Sequence, residues 1–392
     1  MTESHQITSN KTYVPHGAPT HPQPTLPAQQ YPQPGNSYPA PYPAPYSSPY
    51  SPHRTSPGNG CPGSGTRIGL APLPTETLNL EYHRLAFADP KSRWWKPLIE
   101  GPLILIFIAL LTVLLAAIMF AYGIFGVPVV SMWLFGGEES NHLVFTHPAG
   151  AIMVIGCAIV LFPAMWLARM MMGPRPWGLV HSVTGRMRWK WLGICLGIAL
   201  PIFALLPVLA KAVTRTLPPA NVITSPHMIV PMLITLLILT SLRAYAQEVI
   251  WRGFFMQTLG SWLRHPALAI CLPAALFIPG LVFGAWAQLV NITLLLTSAF
   301  LVWRTGGLEA SLAMNTMNLL FNMFLAFFTG GDPFMYSDLG FFGFLFTLAM
   351  QGAMIASVLF AAKKLGIQCT GSYDVVITPE RWQQLNFERT YR

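Results

Sequence analysis

Eight stretches of mainly apolar residues, each close to the roughly 20 that cross a bilayer as a helix, constrain this 392-residue chain more than any other feature. They run at 101–126, 148–171, 190–210, 228–248, 267–287, 289–303, 308–329 and 341–362. The sixth is short and follows a tight turn, which also allows a hairpin or a tilted half-span there. Inside hydrocarbon every backbone N–H and C=O must be bonded within the chain, so continuous runs of this length are helical. Only 9% of the residues are charged and 53% are hydrophobic, whereas a soluble domain carries roughly 25% charged residues. The expected fold class is therefore all-α, a polytopic membrane helical bundle of about eight transmembrane helices with a disordered N-terminal tail.

The net charge of +9 does not indicate a nucleic-acid partner, because the cations stand at the ends of apolar runs, where topology places them. Arg84, Lys91, Arg93 and Lys96 precede the first run; Arg169, Arg175, Arg186, Arg188 and Lys190 follow the second. Arg252 and Arg264 follow the fourth, Arg304 the sixth, and Lys363 and Lys364 the eighth, while the loops at 127–147 and 330–340 contain no Lys or Arg. Lys211 and Arg215 alone break the alternation. The expectation is a multi-pass cell-membrane protein with both termini cytoplasmic.

Four regions follow. Residues 1–66 hold fifteen of the 36 prolines and few aliphatic side chains. Proline lacks the donor for helix or ladder, so this reads as a disordered cytoplasmic tail, and no apolar core makes it a signal peptide. Its Tyr/Pro repeat at Tyr38–Tyr46 also suits docking by a cytoplasmic partner. Residues 67–100 form a juxtamembrane interfacial segment in which Trp94 and Trp95, flanked by Lys91, Arg93 and Lys96, fit the headgroup zone of membrane lipid. Residues 101–365 are the transmembrane domain and 366–392 a cytoplasmic tail, with a short helix over Glu380–Arg389.

Ionisable and amide side chains within apolar runs are expensive and mark candidate sites. Glu248 and Arg252 lie four apart at the end of the fourth run, on one helix face. They read either as an ion pair locking the helix end or as part of a site. Asn315, Asn318 and Asn322, spaced three and four, share a face of the seventh run. They either glue helices together or line a polar cavity with Gln247 and Glu248. Glu309, after Gly306-Gly307, suits a helix N-terminus; Gln288 and Asn291 fall near the turn after the fifth run. The ten histidines lie in the tail, in loops or at run edges, and no HExxH or GxSxG occurs. The five cysteines show no CxxC spacing. No metal or other cofactor is expected.

The segment Gln247-Glu-Val-Ile-Trp-Arg-Gly-Phe-Phe-Met-Gln257 resembles the first motif, Glu-Glu-x-x-x-Arg-Gly, of the CAAX protease and bacteriocin-processing (CPBP) intramembrane endopeptidases. Arg304-Thr-Gly-Gly-Leu-Glu-Ala-Ser-Leu-Ala-Met-Asn-Thr-Met-Asn318 resembles the last, a Gly-rich turn leading into a helix with His-x-x-x-Asn. Phe283-Gly-Ala-Trp-Ala287 stands where the family has Phe-x-x-x-His. The resemblance covers roughly residues 190–330 and implies that 101–365 is a CPBP-like domain. It also implies a site in which the first Glu and the second-motif His activate water, while the His and Asn of the last motif stabilise the oxyanion. At those positions this chain has Gln247, Ala287, Asn315 and Leu319; Glu248 and Arg252 keep the family identity. A glutamine amide is no base near neutral pH, and alanine offers water nothing. Three expectations stand beside each other. One is a degenerate endopeptidase that binds lipidated or transmembrane peptides. Another is an active one using Glu248 with Asn315 and Asn318 as oxyanion donors. The third is a transporter or membrane adaptor.

Overall fold

The computed structural model describes residues 75–121, 145, 148–173, 176–205, 208, 224–263, 265–275, 285–329 and 340–377. The Pro/Tyr-rich tail, the Glu380–Arg389 segment, Phe283 and nearly all of loop 127–147 lie outside these residues. Among the described residues, six helical stretches are long and apolar enough to cross a membrane: Lys96–Ile118, Gly150–Met171, Pro226–Trp262, Ala285–Thr305, Glu309–Thr329 and Gly340–Lys364. Two shorter apolar helices, Trp189–Phe203 and Pro266–Ala275, occupy the third and fifth expected runs. The chain is a multi-pass helical membrane protein.

In chain order the elements are β1 (Thr75–Glu81), a 3-10 segment (Tyr82–Ala88), α1 (Lys96–Ala121), α2 (Pro148–Ile159) and α3 (Leu161–Met171). Then come α4 (Gly178–His181), α5 (Trp189–Phe203), α6 (Ile229–Glu248), a π-helical segment (Val249–Met256) and α7 (Gln257–Trp262). The last are α8 (Pro266–Ala275), α9 (Ala285–Thr305), α10 (Glu309–Thr329), α11 (Gly340–Lys364) and β2 (Thr370–Val376). The break between α2 and α3 precedes Pro163, which cannot donate back along the helix. α10 packs against α5, α6 and α9, and α9 also against α11; α2 lies on α6 and α1 on α3.

Two features depart from the sequence expectation. The sixth run is a full span rather than a hairpin: α9 starts at Ala285, so Gln288 and Asn291 sit inside a helix, 3% and 8% exposed, and not at a turn. The flanks of the bundle are not both irregular either. β1 and β2 form an antiparallel two-stranded ribbon with Thr75 opposite Val376 and Glu81 opposite Thr370. Leu80 and Val375 are its buried side chains. The ribbon joins residues almost 300 apart, so the tails before Thr75 and after Val376 leave from the same end of it. Trp94 and Trp95 are exposed, as an interfacial anchor requires.

Beneath the ribbon, the segment 176–188 is held by donors from several elements. Tyr82 Oη donates to Val180 O at 2.5 Å, Gln257 Nε2 to Leu179 O at 2.8 Å, and Leu308 N to His181 O at 2.8 Å. Tyr373 Oη and Val183 N close the segment against β2 and Gly306. Burial pushes the Tyr82 hydroxyl well above the usual tyrosine range, so it stays a neutral donor. Gly253 and Gly260 let this layer approach. A Cβ on Gly253 would stand 2.5 Å from Val180 Cγ1, and one on Gly260 would collide with the backbone carbonyl of His83.

Candidate functional site

Two buried carboxylate–guanidinium pairs lie at the π-helical segment, and a third, in which Arg188 is partly buried, joins segment 176–188 to the start of α10. A π turn spaces its bonds i to i+5 and is found often at functional sites; here it carries Arg252 and Gly253. Arg252 Nη1 lies 3.4 Å from Glu248 Oε1, and both side chains are almost fully buried. Arg252 Nη2 donates to Leu295 O at 3.1 Å. Arg169 Nε donates to Glu100 Oε1 at 2.9 Å, and its Nη2 to the Gly253 carbonyl at 3.0 Å. Arg188 donates three times to Glu309: backbone N and Nε to Oε1 at 2.9 Å each, and Nη2 to Oε2 at 2.7 Å. Its Nη1 and Nη2 also reach Gln368 O and Thr305 O, tying the residues just before β2 to the end of α9. Glu309 thus begins a helix as its sequence position suggests, but its carboxylate is spent on a fork-to-fork pair.

The Glu248 carboxylate is the centre of the arrangement. Besides Arg252, it accepts from Ser311 Oγ at 2.5 Å on Oε2 and from Ser298 Oγ at 3.3 Å on Oε1. It is 1% exposed. These donors come from α10 and α9, so one carboxylate joins three helices. Sequence reasoning missed both serines. Ser311 carried a signal, since it lies four residues before Asn315 on the amide face of α10; Ser298 carried none.

The amides follow the expected face. Asn315 Nδ2 reaches Gln247 Oε1 at 3.5 Å, a long bond linking α10 to α6, and both side chains are half-buried. Asn322 Nδ2 donates to Asn318 O at 2.8 Å and to Asn318 Oδ1 at 3.2 Å. Asn318 is 5% exposed. Leu319 packs in the core, and Ala287 is buried on α9. His181 Nε2 and Tyr245 Oη are 2.8 Å apart, with the rings stacked. This histidine, which reaches the motif helix from outside it, was not singled out from the sequence. Among the described residues no group of three or more His, Cys, Asp and Glu is placed to hold a metal ion.

Chemically, Glu248 is a carboxylate whose lone pairs already face three donors, beside neutral amides that can donate and accept without changing charge. An apolar crevice bordered by Trp251, Met256, Ile270, Pro273, Leu295 and Ala299 lies next to Arg252.

A family model described as type II CAAX prenyl endopeptidase, Rce1-like, matches residues 227–321. That stretch runs from the start of α6 into α10 and carries Gln247, Glu248, Arg252, Ala287, Asn315 and Asn318; the match is consistent with the CPBP resemblance. No curated protein and no solved structure matches the chain.

Proposed function

We propose that this CAAX-protease-like membrane protein is a degenerate intramembrane endopeptidase that binds lipidated or transmembrane peptides without cleaving them. The observation that carries this reading is the state of Glu248. A general base needs a free lone pair within reach of a water. Glu248 is ion-paired with Arg252, accepts from Ser298 and Ser311, and is 1% exposed. The neighbouring position, where the resembled motif has its first Glu, is Gln247, and Ala287 stands where the partner His would be. Neither replaces a base.

Binding is favoured by what remains. The amides of Gln247, Asn315 and Asn318 offer hydrogen bonds in a membrane-embedded site, and the small crevice beside Arg252 is lined by apolar side chains. The test uses full-length protein in liposomes with a library of prenylated and transmembrane peptides, cleavage being read by mass spectrometry with Glu248→Gln as control. Retention of particular peptides without cleavage is expected. Cleavage that disappears in Glu248→Gln would overturn the reading in favour of an active endopeptidase.

A further inference from the structure

Among the described residues, Asn291 Nδ2 on α9 and Thr240 Oγ1 on α6 are buried within apolar spans with no hydrogen-bond partner. Asn291 is 8% exposed and Thr240 fully buried. In hydrocarbon such groups normally find partners.

Helical phase places both on one polar tier. Asn291 precedes Ser298 by seven residues, two turns along the same face, and Ser298 donates to Glu248. Thr240 precedes Gln247 by the same seven, and Gln247 accepts from Asn315. α10 packs against both helices and runs antiparallel to α6, since Ser311 meets Glu248 and Asn315 meets Gln247. Seven residues beyond Ser311 on α10, Asn318 lies at the depth of Asn291, and Asn322 stands one turn further on, bonded to Asn318. The tier stands about 10 Å beyond Glu248, at 1.5 Å per residue. It holds the amides of Asn291 and Asn318 and the Thr240 hydroxyl, with Arg243 one turn nearer Glu248 on the same face of α6.

We infer that this tier binds the peptide backbone of a membrane segment whose helix is interrupted. The inference rests on the binding reading above and names the chemistry bound. An intact transmembrane helix has all its peptide groups bonded internally, whereas an interrupted one offers free N–H and C=O at membrane depth. Amide and hydroxyl side chains complement both. A lipid chain would leave Asn291 and Thr240 unbonded.

The test measures binding of three fluorescent probes to the full-length protein in nanodiscs. They are a Leu/Ala transmembrane peptide interrupted at its centre by Gly-Pro, the uninterrupted peptide, and a farnesylated cysteine peptide. The interrupted peptide is expected to bind in preference to the uninterrupted one. Asn291→Leu and Thr240→Val should each weaken it about five- to tenfold, the scale of one interhelical hydrogen bond in a membrane, and leave the farnesylated peptide unaffected. Both variants should match or exceed the thermal stability of the parent, because an apolar isostere removes an unsatisfied group. Equal binding of interrupted and uninterrupted peptides would overturn the inference. So would variants that gain stability and bind the interrupted peptide as the parent does. Retention of the farnesylated probe alone would sink this inference and spare the preceding reading; retention of none of the three would sink both.

Discussion

Glu248→Ala tests the structural meaning of the motif directly. The side chains of Glu248 and Arg252 are 1% and 4% exposed, so solvent does not screen their interaction. Truncating Glu248 leaves a buried guanidinium bonded to Leu295 O without its carboxylate partner. Removing one partner of a buried ion pair costs about 3–5 kcal/mol. Ser298 also loses its acceptor, for about 1 kcal/mol, while Ser311 falls back on Leu308 O. The sum, about 4–6 kcal/mol, is a large fraction of the 5–15 kcal/mol that holds a typical protein folded. We expect low abundance in membranes and a strongly lowered melting temperature in detergent. Glu248→Gln, which keeps an acceptor oxygen, should lose roughly half as much. Glu248→Leu combined with Arg252→Met should recover most of the loss, because apolar replacement of a whole buried pair is often neutral. A Glu248→Ala protein of normal abundance and melting temperature, lacking only function, would refute this reasoning and make the carboxylate a chemical group.

Other perturbations probe the layer beneath the ribbon. Arg188→Ala should cost about 3–5 kcal/mol and expose β2 to proteolysis, since Arg188 spans Glu309, Thr305 and Gln368. Arg188→Lys should rescue little, having no fork to match the carboxylate; limited proteolysis with mass spectrometry reads both. Gly260→Ala should destabilise more than Gly253→Ala, because the first meets backbone and the second a side-chain methyl. Val180→Ala should relieve only the second, read as melting temperature. Burial lowers the pKa of His181, against a smaller opposing effect from Glu309. The unfolded chain then takes the proton first, so this contribution to stability is complete above about pH 6.5–7 and is lost as pH falls below the unfolded value. His181→Gln should flatten that acid limb in melting curves recorded from pH 8 to 5.

What the sequence made legible was whatever rests on periodicity or composition. The spans, the shared face of Asn315, Asn318 and Asn322, and the Glu248–Arg252 spacing all follow from the 3.6-residue repeat. The ribbon was not legible. Its strands are seven residues each and lie almost 300 residues apart, so no local pattern links Leu80 to Val375. The role of segment 176–188 was hidden for a related reason: its backbone carbonyls, not its side chains, receive Tyr82, Gln257 and Leu308. Backbone acceptors leave no mark in a sequence. The start of α9 was misplaced because Gln288 and Asn291 interrupt its apolar run, and polar residues in a span read as a boundary until their burial is known.

The same physics sets the cost of placing a second carboxylate at position 247. Gln247 and Asn315 form one long neutral bond, half-buried, beside a Glu248 already committed to Arg252, Ser298 and Ser311. Gln247→Glu would set a second carboxylate next to the first, with only an amide to receive it. Half-burial discounts the cost to about 1–3 kcal/mol. Asn315→His in the same chain should recover part of that loss, because imidazolium is a counter-ion where the amide is not. Melting temperatures of the single and double variants in one detergent measure the coupling. A Gln247→Glu protein as stable as the parent would mean that position 247 already faces a hydrated, charge-tolerant environment, and the cost expected for a second carboxylate there would be refuted.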